Sequence, residues 1–235
     1  MDDLKIHQFK WAAWENRKRS DVLMYEFVSK KEYRLMREEI EEIIKSVQKI
    51  LKKKNSKLTF QFHLVGSAGR HLITRIKDGN AGYDFDYNLI LNPNCDWHEY
   101  ARVRKDFFKA FQEAIKGTKF NKIEDSTSVI TIKQVSKKKI FVGCDFSIIF
   151  YPDNDLDYYQ YAKLDKTTNK YIWETRSISK NCTKKLCWLK DKYENIWNDI
   201  KEEYLKLKNN NPQNKHSYVL FHEAVNNIYN QLKNQ

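Results

Sequence analysis

Apolar residues change period along this chain, and each change marks an element. Over residues 30–51 they fall at Met36, Ile40, Ile43, Ile44, Val47, Ile50 and Leu51, the three-and-four spacing of a helix with one buried face. The run closes on Lys52, Lys53 and Lys54, cations that suit the negative end of a helix dipole. Residues 58–65 predict a strand, Gly66-Ser67 a turn, and residues 68–76 a short helix leaving it. Over residues 83–91 the period becomes two: Asp84, Asp86 and Asn88 share one face, while Tyr83, Phe85, Tyr87, Leu89 and Leu91 share the other. The aromatic face is expected to be packed and the acidic face open.

Residues 97–115 predict another helix. Residues 128–135 and 140–151, joined by Ser136 and three lysines, predict a long hairpin that brings Asp145 into the same sheet. Residues 158–162 and 170–174 predict a second hairpin, and from Thr183 the pattern is helical except for a break at residues 208–217, KNNNPQNKHS. There is no internal repeat. With three prolines and six glycines in 235 residues, no Pro-rich or Gly/Ser-rich linker divides the chain. The expected organisation is an α+β fold: a helical segment over residues 1–57 packed on a core, the core itself over 58–175, and a C-terminal helical lobe over 176–235.

Three carboxylates, Asp84, Asp86 and Asp145, stand in two otherwise apolar strands and call for a cation. Phosphoryl chemistry on a nucleoside triphosphate needs two cations about 3.5–4 Å apart, clamping the attacking and leaving oxygens. Such cations need hard oxygen ligands. An Asp-x-Asp pair supplies two carboxylates on one strand face, and a third from a neighbouring strand completes the set, so two Mg²⁺ ions, or Mn²⁺ in their place, are expected at Asp84, Asp86 and Asp145. The turn does the complementary job. Gly66 lets backbone approach phosphates, Ser67 offers a hydroxyl, and the following residues present free N–H groups.

Charge and cysteine usage narrow the setting. Lysine plus arginine outnumber aspartate plus glutamate 43 to 31, a net +12 that favours anionic partners over a cationic small-molecule acceptor. The four cysteines, Cys95, Cys144, Cys182 and Cys187, form no CxxC pair and read as free thiols of a reducing compartment. Cys182 and Cys187 with His216 have the wrong spacing for common zinc sites, and His222-Glu223 lacks the second histidine of a zinc-protease motif. No apolar run approaches the roughly 20 residues of a membrane span, and the first twenty residues carry no signal-peptide core. A cytoplasmic protein without a membrane partner is expected.

The ordered set Gly66-Ser67, Asp84-Phe85-Asp86 and Asp145 resembles the DNA polymerase β-like nucleotidyltransferase superfamily over about residues 58–151. The resemblance implies a palm-like mixed sheet with flanking helices, two Mg²⁺ ions, and transfer of a nucleoside monophosphate from an NTP with release of pyrophosphate. Residues 182–190, CTKKLCWLK, and 216–223, HSYVLFHE, are similar to two helix segments of the oligoadenylate synthetase and cyclic GMP-AMP synthase branch. That likeness implies that Lys190 grips the triphosphate and that Ser217 and Tyr218 contact the phosphates and stack on the base. Where that branch carries a further Gly-Thr after the turn, this chain reads Gly69-Arg70. The expected acceptor is a nucleotide or RNA, second-messenger oligonucleotide synthesis included. Nucleotidylation of a small molecule, a tRNA or a protein is the alternative within the class. From outside the class comes a non-catalytic RNA-binding module on the same fold.

Overall fold

The computed structural model describes residues 24–54, 57–79, 82–93, 100–137, 139–152, 158–165, 167–168, 170–178 and 180–233. Residues 1–23, Cys95, Trp97 and Lys138, which the sequence reading covers, lie outside the described residues. Strand β1 (Tyr25–Phe27) opens the fold and is followed by helix α1 (Lys30–Lys54). Ser29 Oγ accepts the backbone N–H of Glu32 at 3.2 Å, a serine N-cap with glutamate three residues on. The apolar stripe of α1 is covered along its centre, with Ile40, Ile44 and Val47 at 0% exposure, while Met36 and Ile50 are partly buried. Strand β2 (Phe60–Val65) leads into a single helical turn, α2 (Gly66–Gly69).

The helix expected over residues 68–76 is therefore only the turn Gly66–Gly69. His71 takes a left-handed backbone, φ 57°, which ends the helix. Residues beyond it form strand β3 (Thr74–Ile76), antiparallel to β1 in a two-stranded ribbon. The β-branched residues Ile73, Thr74 and Ile76 suit a pleated strand better than a helix. The N-terminal segment is accordingly not purely helical, since β1 belongs to it.

The main sheet holds β2, β4 (Tyr83–Leu91), β5 (Lys122–Asp125), β6 (Ile130–Ser136) and β7 (Lys139–Phe150) in the order β2-β4-β7-β6-β5. Among the described residues only the β4–β7 pair is parallel, and β5 is not expected from the sequence. The second hairpin, β8 (Tyr158–Asp165) and β9 (Lys170–Ser177), is longer than its apolar residues suggested and attaches to the end of β7. Helix α3 (Tyr100–Ala114) packs beside α1 on one face of the sheet. There the aromatic side of β4 is sealed. Phe85 meets Tyr33 of α1 at 6.3 Å, Phe146 of β7 meets Phe111 of α3 at 4.3 Å, and the Tyr87 hydroxyl donates to Glu41 Oε1 at 3.1 Å.

Among the described residues the C-terminal lobe has three helices, α4 (Asn181–Lys192), α5 (Ile196–Asn209) and α6 (Ser217–Lys233), around a second apolar cluster. One break falls where expected, before Ser217. Another falls at Asn195, whose φ of 60° turns the chain between α4 and α5. Leu72, just past the Gly-Ser turn, is buried in that second cluster, so core and lobe meet there. No helix among the described residues is long and apolar enough to cross a membrane. Cys144, Cys182 and Cys187 are free thiols.

A buried arginine ties the β8–β9 hairpin to the sheet. Arg104 of α3, 0% exposed, donates to Asp125 Oδ1 at 2.6 and 3.0 Å, to Ser126 O at 2.9 Å and to Ala162 O at 3.1 Å. The Tyr171 hydroxyl of β9 donates to the other Asp125 oxygen. Arg104→Met removes the buried guanidinium that the solvent-accessible Asp125 carboxylate and two carbonyls share, so a loss of about 1.5–3 kcal/mol is expected in urea unfolding. A loss below about 1 kcal/mol would show the clamp to be incidental.

Candidate active site

Both aspartates of β4 project from its open face, as alternation requires: the aromatic side is buried while Asp84 is exposed and Asp86 half-buried. In the parallel ladder Asp86 lies opposite Asp145, and Asp84 opposite Gly143. Adjacent strands run about 4.8 Å apart, so the three carboxylates rise from one small area. Gly143 matters for that. A Cβ there would run into Asp84 Oδ1, and one at Gly66 would run into Asp86 Oδ2. Gly66 also has φ +63°, which glycine adopts without strain. The turn thus folds back over the acidic strand because this position has no side chain.

Burial raises the proton affinity of all three carboxylates, and neighbouring site carboxylates add to it at Asp84 and Asp86. Burial, then the charges of Asp145 and Asp84, push Asp86 from the ordinary value of 3.8 to about 6, against the opposing pull of Arg70. Asp84 is raised by desolvation and then by Asp145; although it keeps solvent access, it stands down in a cleft among protein atoms. Asp145 is raised by desolvation, countered by the Thr131 hydroxyl, which donates to Oδ1 at 2.6 Å, and by Lys133.

These residues floor a cleft of about 550 Å³ between the sheet and the C-terminal lobe. Gly66, Ser67, Ser217 and Tyr218 also line it, so the structure brings together seven of the eight residues singled out from the sequence. Lys190 is the exception: it is not among the lining residues, and its ammonium lies over the Trp197 ring at 5.2 Å. In its stead the cleft holds Lys208, whose Nζ donates to Ser217 Oγ at 3.1 Å. Desolvation lowers the Lys208 pKa, and the charge of Asp84 opposes that. Its place was legible in one respect. Ile196, Ile200 and Tyr204 are buried at four-residue intervals along α5, and Lys208 continues the series, a cation on an apolar stripe.

Arg70 lines the same cleft, donating to Gly66 O at 2.9 Å with its guanidinium over Phe221 at 4.5 Å. Arg75, the other arginine past the turn, pairs instead with Glu26 and Glu32. Tyr218 is 53% exposed, its ring beside His222 at 4.1 Å. Across the cleft stand Tyr159 and Arg176 of the β8–β9 hairpin.

The donor set fits a hard divalent cation, being three carboxylates whose mutual repulsion such a charge would relieve. As placed, the carboxylates are splayed toward Gly143, Gly66 and Thr131, and no three His, Cys, Asp or Glu side chains among the described residues already form a closed ligand group.

The mixed sheet carries two acids on one strand, a third on its parallel neighbour and a Gly-Ser turn folded over them. Solved structures share the fold. Cyclic AMP-GMP synthase DncV of Vibrio cholerae, in complex with the linear intermediate pppA(3′,5′)pG, superposes with a TM-score of 0.55 at 12% identity, over 77% of this chain and 61% of that one. Its 3′-deoxy GTP bound form gives 0.60 at 13% identity, over 85% and 66%. The STING-associated CdnE c-di-GMP synthase of Capnocytophaga granulosa gives 0.55 at 16% identity, over 96% and 70%. The chain therefore spans less than two thirds of the length of these two DncV chains. No protein-family model and no curated protein matches it.

Asp86 carries a checkable signature. The folded protein binds its proton more tightly than an unfolded chain, so between about pH 4 and 6 stability falls as pH rises. In metal-free buffer at pH 7, Asp86→Asn is expected to melt roughly 2–4 °C above the wild type, the equivalent of about 1 kcal/mol in a chain of this size. The gap should close near pH 4. Calorimetric melting with a chelator present checks this, and a variant that melts lower at pH 7 would contradict it.

Proposed function

We propose that this chain is a metal-dependent nucleotidyltransferase that moves a nucleoside monophosphate from an NTP to a hydroxyl, releasing pyrophosphate, with a nucleotide as the acceptor. The observation that carries the reading is the register Asp86 opposite Asp145, with Asp84 beside them, on the floor of the cleft that Lys208 and Ser217 overhang. When bound, two Mg²⁺ ions supply neutralisation of the leaving phosphates and a lower pKa for the attacking hydroxyl. Asp84 and Asp86 would hold both ions and Asp145 the one on the acceptor side.

The chain's own groups do the rest. Lys208, Ser217 and Arg70 supply cation and hydroxyl donors along the polyphosphate. Lys208 takes the role that the likeness of residues 182–190 assigned to Lys190. The half-exposed Tyr218 ring offers a flat apolar face to a base. Thr131 holds one Asp145 oxygen, which fixes that carboxylate's direction. Tyr159 and Arg176 also line the cleft, and an aromatic ring with a guanidinium suits a second nucleotide. The neighbours whose fold this chain shares make cyclic dinucleotides, and one holds a linear pppA(3′,5′)pG intermediate, which favours a nucleotide acceptor.

Incubation with each NTP and Mg²⁺, followed by mass spectrometry, tests the reading. Linear or cyclic oligonucleotides are expected, and Asp84→Asn combined with Asp86→Asn should cut pyrophosphate release by about two to three orders of magnitude. Undiminished release in the double variant would sink the assignment. Lys208→Ala should raise the KM for NTP about tenfold or more, whereas Lys190→Ala should leave it within about twofold. The reverse order would return the triphosphate to Lys190.

A further inference from the structure

The open face of the main sheet carries charge across four strands. Register sets Asp84, Gly143, Lys133 and Lys122 in one row, and Asp86, Asp145, Thr131 and Glu124 in the next. Directly paired residues share a face of a sheet, so a fourth carboxylate and two lysines stand on the same face as the acidic trio. None of these three lines the cleft. Glu124 is held by both lysines: Lys122 Nζ donates to its Oε1 and Lys133 Nζ to its Oε2, each at 2.6 Å. The two hydrogen bonds, that from Lys122 first, keep the Glu124 carboxyl below its ordinary range.

Lys133 reaches away from the trio, to Glu124 on the outer strand, and on its other side is a gap. Gly143 places no side chain between Lys133 and Asp84. The Asp84 carboxylate leans into that gap, with Oδ1 2.2 Å from the place a Cβ on Gly143 would take. Two strand spacings, about 10 Å, separate the backbones of Lys133 and Asp84, and a four-carbon stem ending in an ammonium spans most of that distance. The charge of Lys133 is already felt by Asp84 and Asp145, where it opposes the rise in proton affinity, while Glu124 adds to that rise at Asp145. An ammonium among these carboxylates would occupy the oxygens that a divalent cation needs. A lysine this close and untied would compete with the metal.

We propose that Glu124 is a tether: it holds the Lys133 ammonium on the outer side of β6, and without it Lys133 crosses the gap over Gly143 and occupies Asp84 and Asp145 in place of a divalent cation. Lys133 and Glu124 are thus positioning residues, which set metal affinity without touching the metal or the nucleotide. The inference rests on the reading of the trio as a divalent-cation site. It gives the Lys122, Glu124 and Lys133 cluster a task that the three aspartates and the Gly-Ser turn leave unassigned.

A double-mutant cycle read by calorimetric titration with Mn²⁺, without NTP, tests the tether in about 0.3 M salt, where charge acting through solvent is screened. The side chains of Lys133 and Glu124 are 23% and 33% exposed, so Lys133→Met and Glu124→Gln open no cavity. Glu124→Gln should weaken Mn²⁺ binding about tenfold. Lys133→Met should tighten it about tenfold in the Glu124→Gln background, and less than about twofold in the wild type. Lys122→Met removes an equal charge but leaves Lys133 tied, and should change affinity less than about twofold. Equal effects of Lys133→Met in the two backgrounds would mean charge acting at a distance and overturn the tether, as would unchanged binding by Glu124→Gln. Weaker binding that Lys133→Met does not restore, or that comes with a lower melting temperature in both Glu124 variants, marks damage to the sheet and overturns it too. If the coupling appears in a protein that transfers no nucleotide, the tether stands and the transferase reading fails. If nucleotide is transferred and the cycle is additive, the reverse holds. A wild type that binds no Mn²⁺ overturns both.

Discussion

Asp86 and Asp145 face one another across the parallel ladder of β4 and β7, with Asp84 two residues along. Burial first, and then the repulsion of charges so placed, raise Asp86 to about 6. Much of the molecule follows from holding them there. Gly143 clears room for the Asp84 carboxylate and Gly66 for that of Asp86, so the turn can close over the strand. Arg70 and Lys208 offset the charge from the lobe side, and Lys133 from the sheet.

The opposite face of the sheet makes this affordable to the fold. Phe85, Phe146, Phe107 and Phe111 are completely buried between the strands and α1 and α3, so the acidic positions ride on a rigid support. The lobe is coupled to the same support through its first strand. The Asn209 side chain accepts from the Tyr25 N–H at 2.6 Å and donates to the Tyr25 carbonyl at 3.2 Å, while neighbouring Lys208 lies over the Tyr25 ring at 4.8 Å. The residue that reaches the cleft from α5 is therefore anchored to the ribbon of β1 and β3.

Where burial imposes a period, the sequence was readable: the stripe of α1 and the alternation of β4 appear in the structure as expected, because one face of each meets a core and the other does not. Short elements were not. Strands β1 and β5, of three and four residues, hold too few apolar positions to show a period, and their form comes from pairing with β3 and β6. Past the Gly-Ser turn the left-handed backbone at His71 has no periodic signature, although the β-branched Ile73, Thr74 and Ile76 just beyond it favour a strand. The acids and the turn were legible as motifs, whereas Lys208 required knowing that α5 points its buried stripe at the cleft. Gly143 left a trace, a glycine inside an apolar strand, which marks a close approach of another group.

That the three carboxylates act as one cation site is the claim on which the rest depends. Titrating the protein with Mn²⁺ near pH 6, by calorimetry in two buffers of different ionisation enthalpy, counts the protons displaced by the metal. The expected result is saturable binding with net proton release, because Asp86 is part-protonated at that pH and must ionise to become a ligand. Absence of binding, or binding without proton release, would contradict it.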